Sequence, residues 1–205
     1  MDDTYYTIRQ EARAESKVKG SRFIGETFFV TTVDDALARL TTVRKREYNA
    51  THHCYAYIVG LGNETVFKYS DDGEPSGTAG KPIYDIVAAD NLTGVLCVVT
   101  RYYGGTKLGT GGLVRAYGGA AKEVMQLSGV ATHYLTTRFR ITVDFSLYDR
   151  LQKLLHRIET TVVGTEFTDT VSVIAEIRDG RADSLTELVI ELTAGKGVIE
   201  RIKKD

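Results

Sequence analysis

Apolar and polar positions alternate at Tyr5-Tyr6-Thr7-Ile8-Arg9 and again from Ala12 to Lys19, and Phe23 to Val30 adds a third run rich in β-formers. The chain is therefore predicted to open with antiparallel strands. Ala36, Leu37, Leu40 and Val43 then recur at helical spacing behind Thr32, with Asp35 three residues on. This predicts an amphipathic helix capped by Thr32 and running to about Tyr48. His52 to Val59 and Glu64 to Tyr69, joined by Gly60-Leu61-Gly62-Asn63, read as a hairpin. The stretch from Ser70 to Gly80 is too polar and too rich in breakers for a regular element. Ile83, Ile86 and Val87 resume a helical pattern after it. Gly94 to Thr100 is a continuous apolar strand, followed by a glycine-rich loop from Tyr102 to Gly112 and a helix from about Leu113 to Leu127.

After Ser128-Gly129 the pattern starts afresh. Phe139, Ile141, Val143 and Phe145 alternate with polar residues, Leu147 to Ile158 form a helical stripe, and Thr161 to Phe167 pairs with Val171 to Ile177. Leu185, Leu188, Val189 and Leu192 make another stripe closed by Gly195, before a last strand at Gly197 to Ile202. The order β-α-β-β-α-β is that of a ferredoxin-like split β-α-β domain. The chain thus divides into residues 1–130 and 131–205, joined by a short linker from Ser128 to Leu135.

Composition changes this picture little. The formal net charge of the 205 residues is −1, and neither half is strongly basic, which argues against a general nucleic-acid binder. Cys54 and Cys97 lie in apolar runs and are expected to be reduced and buried. The acidic, alternating N-terminus differs from a secretory leader, and no apolar run has membrane-spanning length, so the cytoplasm is the expected location.

Candidate chemistry concentrates in the two irregular loops. In the run from Thr100 to Arg115 a strand feeds a glycine-dense turn that opens a helix, where backbone N–H groups helped by Lys107 and Arg115 could hold a phosphate or carboxylate. The same glycines could equally serve positive φ and close packing. Val114 breaks the dinucleotide fingerprint and no phosphate-loop motif occurs, so no nucleotide cofactor is expected. Asp71-Asp72-Gly73-Glu74 offers carboxylates for a cation, but without calcium-loop spacing, and solvated turn residues are the better reading; no metal site is assigned. Along Thr51 to Tyr57, alternation puts His52 and Cys54 on one face and His53, Tyr55 and Tyr57 on the other, so His53 is poorly placed to serve Cys54 as a base. Tyr55, Tyr57, Tyr69, Tyr102 and Tyr103 could stack on single-stranded RNA bases or be half-buried strand residues.

The segments His52 to Tyr57, Ser70 to Gly80 and Val99 to Gly109, in that order, resemble the YigZ/IMPACT family, and the resemblance spans nearly the whole chain. It implies an α+β protein with an N-terminal domain like the second domain of ribosomal protein S5, and a ferredoxin-like C-terminal domain. It also implies kinship with eukaryotic IMPACT, a regulator in the amino-acid-starvation translation pathway that acts by binding a protein partner, through this domain together with an RWD domain absent here. The leading expectation is a binding module that contacts RNA, the ribosome or a translation-associated protein through the two loops and the His53/Tyr55 strand face. Arg101, Lys107 and Arg115 are expected to contact anions, Gly104, Gly105, Gly109, Gly111 and Gly112 to supply close-approach backbone, and Asp71, Asp72 and Glu74 to hydrogen-bond the partner. Replacing Arg101 and Lys107 by alanine is expected to abolish association without unfolding. The rivals are an enzyme on a small phosphorylated or carboxylated substrate with His52 or His53 as acid/base, and a protein that self-associates through a sheet edge. Convergence of histidines, carboxylates and glycine loop on one pocket would favour the enzyme.

Overall fold

A five-stranded sheet organises residues 5–133. The computed structural model describes residues 3–203 and divides them between one unit, Tyr5–His133, and a second made of 134–203 with 3–4. The first unit carries β1 (Thr4–Ile8), β2 (Ala12–Val18), β3 (Ser21–Phe29), α1 (Val33–Arg46), β4 (His52–Val59), β5 (Val66–Ser70), α2 (Gly80–Ala88), β6 (Val95–Tyr102), α3 (Thr110–Ser128) and β7 (Val130–Tyr134). Five strands form an antiparallel sheet in the order β2-β3-β6-β4-β5. Phe23, Cys54, Ala56, Ile58, Cys97 and Val99 meet α2 and α3 on one face, while Tyr55, Tyr57, Leu96 and Val98 pack with Ala36, Leu40 and Val43 of α1 on the other. Burial on both faces is why the β4 and β6 segments read as apolar runs without clean alternation.

Local signals act as their chemistry dictates. Thr32 accepts a hydrogen bond from the Asp35 N–H at 3.1 Å and caps α1, while Asp35 Oδ2 accepts from the Thr31 N–H at 3.2 Å. Several elements differ from the sequence reading: β5 starts at Val66 because Gly62–Glu64 forms a turn, and Phe145, read as continuing a buried strand face, is exposed in another turn. Helix α3 starts at Thr110, ahead of Leu113, because Gly111 and Gly112 lie inside its first turn and do not break it. The expected linker contains a strand: β7 pairs with β1, and the N–H groups of Arg9 and Gln10 donate to the carbonyls of Gly129 and Ser128. Its ladder is backbone chemistry, with no apolar stripe to announce it.

The second unit contains β8 (Thr136–Val143), α4 (Tyr148–Arg157), β9 (Thr161–Phe167), β10 (Val171–Arg178), α5 (Ala182–Thr193) and β11 (Val198–Ile202). They build an antiparallel sheet in the order β11-β8-β10-β9, and alternate residues Phe139, Ile141, Val143, Val171, Val173, Ala175 and Ile177 pack against Leu151, Leu155, Leu185 and Val189. Asp3 belongs here through bonds from Arg178 and the Gly180 N–H, each at 3.0 Å. The chain is thus a mixed α+β protein of two sheet-bearing units. Among the described residues no helix is long and apolar enough to cross a membrane.

Candidate functional site

The register of β4 against β6 sets Arg101 opposite His52 and Thr100 opposite His53. Alternation then sends His52, Cys54 and Arg101 toward the α2/α3 face and His53, Tyr55 and Tyr102 toward the α1 face. The candidate residues are therefore split between two faces. His53 and Tyr55 are 8% and 6% exposed, which corrects the expectation that they present a partner-facing surface. The His53 Nε2–H donates to the Glu47 carbonyl at 3.2 Å, and the Tyr102 hydroxyl donates to Glu47 Oε2 at 2.8 Å. Burial pushes His53 below the ordinary imidazole range, although Asp72 pulls the other way. The Arg22 guanidinium lies 4.4 Å from the Tyr102 ring centre, a contact within the chain on the face available for stacking.

The acidic loop is built largely by its own carboxylates. Asp71 accepts from the N–H groups of Gly77, Ala79 and Gly80 at 2.8–2.9 Å, so it closes the loop and caps α2. Burial raises its pKa, but the three N–H bonds outweigh this and hold the carboxyl below its usual range. Asp72, at φ +46°, accepts from Arg44 and from the His53 backbone N–H, each at 2.7 Å. Its carbonyl accepts from His52 Nδ1 at 2.8 Å, and Gly73 follows at φ +90°. Glu74 is buried, and its Oε1 accepts from Arg101 Nη1 at 2.6 Å and from the Tyr117 hydroxyl at 2.7 Å. These carboxylates were expected to meet a partner; the structure turns Asp71 and Glu74 inward because burial requires their charge to be paired or hydrogen-bonded.

Arg101 needs the same correction. Its side chain is 5% exposed, it pairs with Glu74, and it also donates to Ser21 Oγ at 3.2 Å. Alanine at 101 would leave a buried carboxylate uncompensated, so an Arg101→Ala variant would not report on binding alone.

Around this buried pair lies a cavity of about 510 Å³. Thr51, His52, Glu74 and Arg101 line it from the sheet and acidic loop, and Tyr103, Lys107, Leu108, Gly109, Thr110 and Leu113 from the glycine loop and α3. Convergence is therefore real for His52, a carboxylate and the glycine loop. The two helix starts differ: α2 is capped by Asp71, whereas α3 begins after Gly109, at φ +72°, with no side-chain cap and no acidic residue in its first turn. Beside that open start stand exposed Lys107 and the guanidinium of Arg101, whose Nε finds no hydrogen-bond partner among the described residues. Such a corner favours an anionic group, and Pro75, Tyr103, Leu108 and Leu113 surround it with carbon. Because the Asp72 carbonyl can only accept, His52 Nδ1 carries the proton of the neutral ring and Nε2 is its basic nitrogen, 3.7 Å from Glu74 Oε1.

The remaining glycines and cations sort by position. A Cβ built on Gly104 would lie 1.9 Å from the Gly20 carbonyl carbon, so this glycine permits the close approach of loop and β2–β3 turn. Gly105, at φ +82°, has no neighbour within contact range of a Cβ. Gly112 and Arg115 line a different cavity of about 180 Å³ with Lys19 and Leu108, and Gly111 sits against the Arg115 guanidinium. Cys54 donates to the Asp71 carbonyl at 3.0 Å, and burial pushes its thiol far up; burial also pushes Cys97 up to about 12. Neither thiol has the character of a nucleophile. The sequence reading left His52, Thr110 and Tyr117 out of the binding set. Alternation with Cys54 was the signal available for His52, while Tyr117 reaches Glu74 across 43 residues.

Fold and site together define a two-unit α+β protein whose first unit holds a cavity with a cationic corner. The Impact N-terminal domain family matches residues 19–125, which include every residue lining that cavity, and a domain of unknown function, DUF1949, matches 141–196. IMPACT family member YvyE of Bacillus subtilis is 32% identical over 200 residues, covering 98% of this chain and 92% of that one. IMPACT family member YigZ of Escherichia coli is 32% identical over 152 residues, 74% of each chain. A crystal structure described as that of a hypothetical protein aligns over 100% of both chains with a TM-score of 0.70 at 25% identity. The chain belongs to the IMPACT family.

Proposed function

We propose that this chain is a translation-related regulatory protein of the cytoplasm that works by binding RNA, the ribosome or a translation-associated protein, with the cavity beside Lys107 taking an anionic group of the ligand. The observation that carries the reading is the uncapped α3 start, which shares one cavity with Lys107 and the buried Glu74–Arg101 pair. Kinship with IMPACT supplies the translation setting. The order β11-β8-β10-β9 supports a ferredoxin-like reading of the second unit, and an S5 domain 2-like reading of the first follows from the family resemblance. The test uses variants outside the buried pair. Lys107→Ala removes the exposed charge, and Thr110→Asp places a carboxylate in the first turn of α3, where it competes with a ligand anion. The purified chain is expected to retain ribosomal RNA or translation proteins from its own lysate, and both variants to lose them. Retention of the same molecules by both variants, with neither variant melting below the unmodified chain, would refute this site.

A second reading rests on His52. Its Nδ1–H is committed to a carbonyl and its basic Nε2 lies on the cavity side near Glu74, which suits acid/base work on a small phosphorylated or carboxylated substrate. If small-molecule screening finds turnover, His52→Gln should lower kcat and Lys107→Ala should chiefly raise KM. Turnover indifferent to His52→Gln would dismiss this reading.

A further inference from the structure

The groove between α4 and α5 of the second unit carries a chemistry unrelated to the cavity. Arg150, Lys153 and Arg157 recur at i, i+3 and i+7, so they form one stripe of α4, and all three are exposed. Among the described residues none of them makes an ion pair, whereas Arg138, Arg178, Arg181 and Arg201 of the same unit each face a carboxylate. Beneath the stripe lies a groove of about 450 Å³ floored by Leu154, Leu188 and Leu192, the last two half-buried and one helical turn apart. Glu191 is the one carboxylate lining it, which leaves the groove net positive.

An aliphatic floor under a cationic rim complements an amphipathic helix, whose apolar face fills the groove while its acidic flank meets the cations. It complements nucleic acid poorly: no aromatic ring lines the groove for a base to stack on, and Glu191 would oppose phosphate. We propose that this groove docks an acidic, leucine-bearing helical segment of a protein partner, with its apolar side chains on Leu154, Leu188 and Leu192 and its carboxylates on Arg150, Lys153 and Arg157.

The probe is a labelled synthetic peptide with leucines at i, i+3, i+4 and i+7 and glutamates elsewhere, titrated with the full chain by fluorescence anisotropy. Saturable binding that weakens with added salt is expected. The Arg150→Glu/Lys153→Glu/Arg157→Glu variant should bind at least about tenfold more weakly, and its melting curve checks the fold. Glu191→Lys should tighten binding, a gain that misfolding cannot mimic. Absence of saturable binding at low salt, or equal binding by the triple variant, overturns the proposal. So does an oligouridylate that binds more tightly than the peptide with the same dependence on the triple substitution.

Discussion

The two faces of the first sheet take neighbouring residues of the same two strands and make opposite things of them. On the α1 face, His53, Tyr102, Glu47 and Glu26 are closed into a network with Arg13 and Arg46, and the arginines reach it from solvent, with side chains nearly half exposed. Burial raises the pKa of Glu26, with Arg46 and Arg13 opposing the shift. On the other face both members of the Glu74–Arg101 pair are buried, and the pair borders an uncapped helix start and open space. A closed network mainly holds structure together. A buried pair beside an open cationic corner holds structure and leaves Lys107 and a helix start exposed.

The comparison breaks most visibly at Glu74. Glu74→Ala strands the Arg101 guanidinium and the Tyr117 hydroxyl, and should cost roughly 3–5 kcal/mol in denaturant unfolding. Glu47→Ala, whose arginine partners keep their water, should cost about 1 kcal/mol; equal losses would erase the distinction between the faces. Gly104→Ala forces a Cβ into the Gly20 carbonyl and should cost about 2–3 kcal/mol, measured the same way. The two helix starts sharpen the contrast further. Asp71→Ala should destabilise by about 1–2 kcal/mol through the lost cap, whereas Thr110→Asp should stabilise by about 0.3–1 kcal/mol. A destabilising Thr110→Asp would show that the α3 start is already satisfied. The smallest effect is the pH response of His53. Its native pKa is lowered, so its contribution to stability is complete above the unfolded imidazole value of about 6.5 and is lost as pH falls toward the native value. The melting temperature should therefore decline over that window, and His53→Gln should flatten part of the decline.

Much of this was legible in local pattern. The helical stripe behind Thr32 and the alternation of Phe139, Ile141 and Val143 depend on neighbours in sequence and appear where the spacing puts them, while the hairpin around Gly60 forms with its second strand starting at Val66 rather than Glu64. The two loops were also marked, because glycine and aspartate density is a local property. What escaped were facts about partners distant along the chain. Arg101 looked like a free cation because nothing near it in sequence is acidic; Glu74 lies 27 residues away. Asp71 looked like a solvated turn residue until the loop folded three N–H groups around it.

By itself the sequence determined most of the elements, though not β7, and with them the family and the loops in which site chemistry was sought. Tertiary structure alone decided which charges of those loops were consumed in folding and which stayed exposed. The reason is that a strand's two-residue period tells which side chains share a face but not what covers that face. Covering β4 and β6 with α1 on one side buries His53 and Tyr55. On the other side α3 begins one residue beyond Gly109 and leaves a cavity against His52.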